Sequence, residues 1–415
     1  MSSPTTEPVV LGADFVRDPH AVYDRLRQEG SVHRAILPTG LKVWLITSYE
    51  EGRALLADPR VSKNMADAGH LFELHQTDMN RQRDYSHSIQ QSMINMDPPD
   101  HTRLRGLVGK AFTMRQVNRL RPRIEEIADE ILDPLADRGE FDVVADYAAP
   151  LVSTVISELL GVPEGDRAEF RETSEILTSD ADRSLVNKAS NALLTLVSAI
   201  VEAKRAEPDD RLLSSLILAA DGEDRLSHEE VVSLAVVLFV GGFDTTVNLI
   251  GNGTLALLRH PDQLAGLRAD PSLLPGAVEE FLRFDGSANI SHFRRTTASV
   301  PVGDVTIPAD EFVFVGLLAA NRDSARYPAP DALDITRAAT GHLAFGHGIH
   351  HCVGAPLARA ESEIAFARLL ARFPVLHLAA DPAELNVRPS MLHRGVRSLP
   401  VRTHAGGGTT AGVTA

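Results

Sequence analysis

The chain carries one cysteine, Cys352, in 415 residues. No internal disulfide can form, and a single reduced thiol suits a cytoplasmic protein. Basic residues are in deficit: 41 Lys and Arg stand against 56 Asp and Glu, for a net charge of −15. A general nucleic-acid binder has the opposite balance. Long apolar runs are missing too. The longest, Val231–Val240, is broken by Ser233; it is too short to span a bilayer and predicts a buried core helix. Residues 1–10 lack the basic and apolar regions of a signal peptide, so neither a secretion signal nor a membrane anchor is expected there. No Gly/Ser-rich or Pro-rich linker and no repeat divides the middle. With 44% apolar residues, one large domain over 1–405 is expected, against a length prior of two or three. The tail 406–415 (GGGTTAGVTA) is expected to be disordered.

What is present is mainly helical in pattern. Helices are expected at 19–29, 48–57, 115–138, 147–160, 165–178, 184–206, 261–269, 272–284 and 355–372. Ser227 and Glu230 form a capping box opening a helix to about 258. A strand is expected at 42–47, and 300–317 turns like strand pairs about Gly303-Asp304 and Pro308-Ala309. Residues 61–96 are long and irregular, as functional loops are. Asp97-Pro98-Pro99-Asp100 opens a helix with prolines in its first turn. The fold class is mainly α with a minor β part.

Cys352 lies in Phe345-Gly346-His347-Gly348-Ile349-His350-His351-Cys352-Val353-Gly354. His347, His350, His351 and Cys352 admit a zinc reading, but the glycines make this a loop rather than a helix, and no second Cys or Cys/His pair is evident. A structural buried cysteine is the other bland reading. The spacing Phe-x-x-Gly-x-His-x-Cys-x-Gly resembles the haem-binding loop of the cytochrome P-450 family, a match expected by chance on the order of 1 time in 10,000. The resemblance implies a noncovalent b-type haem with Cys352 as its axial metal ligand. A thiolate ligand favours O–O cleavage. Phe345 would shield the sulfur, Gly346 and Gly354 would let the loop approach the ring, and His350 would face a propionate. No Cys-x-x-Cys-His attachment motif is present.

Other segments agree in order. Val240-Gly241-Gly242-Phe243-Asp244-Thr245-Thr246 places two glycines inside a helix, at about 1 kcal/mol each relative to alanine. A helix crossing explains them equally well. The resemblance makes this the oxygen-binding groove, with Thr245 hydrogen-bonding dioxygen or a water and Asp244 relaying protons. Glu280 and Arg283 sit at i,i+3, a common surface pair taken alone; the resemblance implies a buried triad with Arg337, structural in role. His101 and Arg105, otherwise a basic surface turn, would grip propionates, with Arg294 as a further one and Arg295 its neighbouring rival. Ala320–Asp323 and Tyr327–Asp331 also match, though Leu333 stands where an aromatic is more usual.

The resemblance implies a monooxygenase that puts one oxygen atom of O2 into a C–H bond or a double bond. With no nucleotide-binding motif in the chain, electrons are expected from a ferredoxin and an NAD(P)H-dependent ferredoxin reductase. Arg103, Arg115, Arg119, Arg359 and Arg368 are candidates to meet the ferredoxin, or ordinary solvated residues. Substrate contacts are expected from 61–96, from helices within 165–205, and from Val240, Phe243, Ala288, Asn289, Ile290, Met391 and Leu392. Asn289 is the candidate polar contact, and the segment after Arg283 lacks the usual proline. The pattern most resembles soluble actinobacterial enzymes that tailor macrolides and other polyketides, with steroids or terpenoids as alternative substrates. A peroxide-driven peroxygenase or a noncatalytic haem protein needs no Asp244–Thr245 pair.

Overall fold

The computed structural model describes residues 7–66, 68–77, 92–111, 113–178, 182–219 and 226–403. The expected tail at 406–415 and residues 78–91 of the expected loop lie outside the described residues.

The axis of the molecule is the helix His228–Arg259. Its capping box is formed as the sequence predicts: Ser227 Oγ accepts from the Glu230 N–H at 3.1 Å, and the Ser227 N–H donates to Glu230 Oε2 at 2.9 Å. The helices Ala149–Leu160, Arg183–Ala206, Leu274–Asp285 and Ala355–Arg372 pack around it. Met114–Leu132 lies in turn against Ala355–Arg372. The largest apolar cluster includes Leu104, Val152, Leu193, Phe239, Ile364 and Val401. One core therefore joins segments from far apart in sequence.

Strand content is small. The main sheet runs in the order Val9–Val10, Val32–Ile36, Lys42–Ile46, Phe312–Val315, Arg294–Thr296 and Val61–Ser62. Val313 pairs with Trp44 in parallel and with Arg294 antiparallel, and Arg294 is buried. A three-stranded sheet and the hairpin Val300–Val302/Val305–Ile307 complete the strands among the described residues.

Some boundaries differ from the sequence reading. The helix expected from 115 to 138 stops at Leu132. The helix near 147–160 is preceded by a wider-wound segment, Val143–Ala148, capped by Asp142. Pro98 and Pro99 precede the helix Asp100–Ala111 rather than occupying its first turn. Residues 61–96 contain a helix, Gly69–His75. The strand pattern at 300–317 ends in a short helix, Leu317–Asn321. Apolar run length understates how apolar the helices are. Among the described residues, three helices, Val143–Leu160, Ser184–Ala206 and His228–Arg259, are long and apolar enough to cross a membrane by length and composition. Scattered Gly, Thr and Asn interrupt a run without lowering mean hydropathy much. In the fold, 67% of the most apolar window of His228–Arg259 is buried.

Candidate functional site

The cysteine loop is built by its glycines. Gly346 and Gly348 adopt φ of +71° and +75°, where a side chain is strained. A Cβ at Gly348 would also lie 2.9 Å from the Leu56 carbonyl oxygen, so the loop closes against Tyr49–Ala57. The Cys352 N–H donates to the Phe345 carbonyl at 2.9 Å. Helix Ala355–Arg372 follows, with Pro356 in its first turn. The N–H groups of Gly354 and Ala355 point at the Cys352 sulfur and, with Arg105 and Arg359, favour the thiolate; desolvation works more strongly the other way and leaves the thiol's pKa above its usual value. Cys352 is solvent-accessible yet desolvated by surrounding protein. That combination marks a thiol lining an internal slot. His292 has the same character, and burial followed by the Lys63 charge pushes its pKa down to about 3.

Cationic groups crowd one side of the slot. Lys63, His101 and Arg294 are buried, while Arg105 and His350 are half-buried. His101 and His350 stack with ring centroids 4.1 Å apart. Burial comes first, and mutual repulsion second, in lowering the pKa of His350 to about 2 and of Lys63 well below its usual range. For Arg294, burial lowers the pKa to about 10 while Asp97 works to raise it. Asp97 is already engaged by the Lys63 N–H at 3.0 Å and by Ser62 Oγ. His101 Nδ1, Arg294 Nε and His350 Nε2 are buried without a hydrogen-bond partner. So many destabilised cations fit a ligand bearing two carboxylates, as haem does. Arg294 belongs to this cluster; Arg295 donates from Nε to the Asn64 carbonyl instead. Arg105 also donates to the His351 carbonyl at 2.6 Å, tying Asp100–Ala111 to the cysteine loop. Lys63, Asp97 and His292 were not legible in the sequence, because no spacing signal links them to Cys352.

On the central helix, Gly241 is exposed and Thr245 half-buried. Thr245 Oγ1 donates to the Gly241 carbonyl at 2.6 Å. The two glycines have separate roles. A Cβ at Gly241 would meet nothing within 4 Å, whereas one at Gly242 would lie 2.5 Å from Ile156 Cδ1. The helix-crossing reading therefore applies to Gly242, while Gly241 has open space beside it. Asp244 is fully buried, with Arg388 Nη1 2.8 Å from Oδ1 and His393 Nδ1 3.6 Å from Oδ2. Neither partner was anticipated.

The expected substrate residues divide. Val240, Ala288 and Leu392 are half-buried, packed at the edges of the apolar clusters with part of their surface left open. Phe243 is not: it stacks on Phe239 in the core, centroids 6.0 Å apart, on the far side of the helix from Thr245. Ile290 and Met391 are buried in the cluster around Phe312 and Phe314. Asn289 is buried and spent on the protein, accepting from Tyr23 Oη at 3.0 Å and donating to the Met391 carbonyl at 3.0 Å. Isolated bridges at Ala288 and Ile290 tie this segment to its neighbours, and Asn289 and Ile290 are both turned into the protein.

Glu280 and Arg283 are fully buried and bidentate, at 2.7 and 2.8 Å, and Arg337 Nε reaches Glu280 Oε1 at 3.2 Å. Of the five arginines considered for a partner, Arg103 pairs with Glu230, Arg359 with Glu279, and Arg368 with Glu125 and Asp129. Arg359 also lies over the Phe345 ring, 4.6 Å from its centroid. Arg115 and Arg119 are exposed. No three His, Cys, Asp or Glu side chains among the described residues are placed to hold a metal ion, which removes the zinc reading.

Comparison with known proteins agrees with this geometry. The cytochrome P-450 family model matches residues 42–395. A vitamin D(3) 25-hydroxylase from Pseudonocardia autotrophica is 47% identical over 94% of this chain and 95% of its own length. A 6-deoxyerythronolide B hydroxylase from Saccharopolyspora erythraea is 42% identical over 96% of this chain and 99% of its own. The structure of the tirandamycin C-bound P-450 monooxygenase TamI superposes with a TM-score of 0.88 at 47% identity, covering 96% of this chain and 100% of that one.

Proposed function

The chain belongs to the cytochrome P-450 family, and from that premise we propose that it is a ferredoxin-fed oxygenase of a bulky, mostly apolar macrolactone or other polyketide. It is a haem b monooxygenase. Haem b, when bound, supplies the chemistry that splits dioxygen, one atom entering the substrate C–H bond or double bond and the other leaving as water. Two electrons and two protons balance that reaction. A ferredoxin and its NAD(P)H-dependent reductase supply the electrons, consistent with the exposed Arg115 and Arg119. The enzyme works in the cytoplasm, in keeping with its single cysteine.

Each side chain has a defined task. Cys352, held by N–H groups at a helix start, would supply the thiolate that binds the haem iron. Lys63, His101, Arg105, Arg294 and His350 would hold the propionates. Gly346 and Gly354 would admit the ring to the loop, and Phe345 would shield the sulfur. Gly241 would leave room for dioxygen. The Thr245 hydroxyl holds a proton-donating position at the cavity wall, and Asp244 supplies the acid behind it. Glu280, Arg283 and Arg337 hold the segment leading into the cysteine loop. Val240, Ala288 and Leu392 contact the substrate.

The observation that carries the reading is the cation cluster, with its orphaned donors, around a solvent-accessible but desolvated Cys352. The polyketide assignment is supported by the likeness to the 6-deoxyerythronolide B hydroxylase. One observation favours a second reading. With Asn289 consumed by Tyr23 and Met391, the pocket loses its expected polar contact, which suits a steroid-like substrate; the vitamin D(3) 25-hydroxylase is similarly close. A spectral binding titration over macrolactones, steroids and terpenoids decides between them. A low- to high-spin shift with macrolactones alone supports the first reading, and one with steroids alone refutes it. Turnover with peroxide at the rate reached with ferredoxin would instead indicate a peroxygenase.

A further inference from the structure

Asp244 is one of three polar residues spaced four apart on the central helix, with Asn248 and Asn252. All three face one turn near the end of the chain. Arg388 and His393 flank Asp244. Gly395 packs on the Asn248 side chain so closely that a Cβ would overlap the amide. Asn252 Nδ2 donates to the Arg394 carbonyl at 3.2 Å.

The turn is internally braced. Val387 bridges Val396, and the Arg388 N–H donates to the Gly395 carbonyl at 2.9 Å. The His393 N–H donates to Ser390 Oγ at 3.1 Å. It is also fastened to the segment after Leu274–Asp285. Ala288 bridges His393, the Asn289 N–H donates to the Leu392 carbonyl at 2.9 Å, and the Arg394 N–H donates to the Ser287 carbonyl at 2.8 Å. Ala288 and Leu392 are two of the three residues still available to substrate. The wall of the pocket and the clamp on Asp244 are thus one braced unit.

A carboxylate with no exposed surface needs a partner to stay ionised. Arginine cannot give up its charge under ordinary conditions, so it is a fixed counterion. From these contacts we infer that Arg388 is the positioning residue for Asp244. The turn 387–396 holds the acid of the central helix ionised and aimed, and couples it to the substrate wall. This rests on the reading of Asp244 as the acid behind Thr245. Other charged groups lie near the pair: His393 from the same turn, and Glu175 from helix Arg167–Thr178, which feels Arg388 and Asp244 as well as Arg171 and Glu172 of its own helix.

The test compares Arg388→Met, Arg388→Lys, Asp244→Asn and the double variant Arg388→Met/Asp244→Asn in the haem-loaded enzyme. It uses whichever compound gives the largest spin shift in the panel above. Product formed per NAD(P)H consumed is expected to fall about tenfold in Arg388→Met, with peroxide rising in step. The spectral Kd should move far less. Arg388→Lys should restore most of the coupling, and the double variant should be no worse than Asp244→Asn. A second readout needs no turnover: thermal midpoints of the ferric, substrate-free proteins should be non-additive for the pair. Normal coupling in Arg388→Met beside a defective Asp244→Asn overturns the inference and leaves Asp244 as the relay acid. Normal coupling in Asp244→Asn overturns that reading and the inference together. A raised Kd with normal coupling in Arg388→Met makes Arg388 a substrate contact only, and additive midpoints dismiss the clamp.

Discussion

Arg283 offers a sharp test of how the core beneath the cysteine loop is held. Its guanidinium has five N–H donors, and each has an acceptor. Nε and Nη2 bind the two oxygens of Glu280 at 2.7 and 2.8 Å; Nη1 reaches the Asn321 and Pro330 carbonyls at 3.0 and 2.8 Å; Nη2 also reaches the Ala332 carbonyl at 3.2 Å. The side chain has no exposed surface, so water cannot replace a lost contact. In Arg283→Lys the charge stays, but an ammonium has three donors and no fork. At least two contacts go, at about 1–3 kcal/mol each, for a total of about 2–6 kcal/mol. Unfolding entropy of about 2.1 cal/mol/K per residue gives about 0.9 kcal/mol per kelvin for a chain of this length, so the midpoint should fall by about 2–7 °C. The assay is thermal unfolding of the haem-loaded protein, followed at the haem band and by far-ultraviolet circular dichroism. Arg123→Lys is the control: Arg123 makes three ion pairs at the surface, and its replacement should cost under about 1 kcal/mol. Equal shifts for the two variants would falsify the claim that the buried fork matters.

Three further outcomes are expected. Reduced, CO-treated wild type should show the red-shifted Soret band of a thiolate haem, and Cys352→Ala should lose it; an unchanged band removes Cys352 as ligand. Glu361 is buried in Ala355–Arg372, with Oε1 unpartnered, and burial raises its pKa to about 8. Its folded pKa lies above its unfolded value, so the unfolded chain ionises first and stability is lost as pH rises from near 4.5 toward 8. Glu361→Gln should therefore gain on wild type across that window in thermal midpoint, and a constant difference between pH 5 and 8 contradicts the assignment. Gly241→Ala should keep or raise the midpoint, since alanine favours a helix by about 1 kcal/mol, while weakening the spin shift on substrate binding. Gly242→Ala should lower the midpoint because its Cβ meets Ile156; the reverse ranking rejects the division of roles.

The cysteine loop was legible because its chemistry fixes residue types at short spacing. Gly348 needs both a left-handed backbone and closeness to Leu56, and only glycine meets both demands. Glu280 and Arg283 were legible for the same reason, being one helical turn apart. Contacts made between distant segments left no such trace. Lys63 sits in a stretch that reads as irregular loop, yet the strand Val61–Ser62 pairs with Arg294–Thr296 and brings it beside Arg294. Arg388 and Asp244 are likewise far apart in sequence, and only the fold joins them. Phe243 was misplaced although its angle was computable: at 3.6 residues per turn, a residue two before Thr245 points roughly to the opposite side of the helix.

Adjacent positions on the central helix thus answer to different neighbours. Phe243 faces the core and Asp244 the turn at 387–396, while Thr245 is half-buried and bonds back to Gly241. A helix advances each residue by about 100°, so an acid and an alcohol side by side in sequence cannot share one environment. That separation has a use in proton delivery. A buried relay carboxylate needs a counterion and a link to solvent to pass protons on, while the alcohol must stay within reach of the reacting oxygen. Placing the acid against Arg388, which is 15% exposed, satisfies the first demand. Leaving Thr245 to bond the Gly241 carbonyl in the open part of the helix satisfies the second. The neighbouring pair is therefore best understood as two stations facing two compartments, joined by the helix backbone between them.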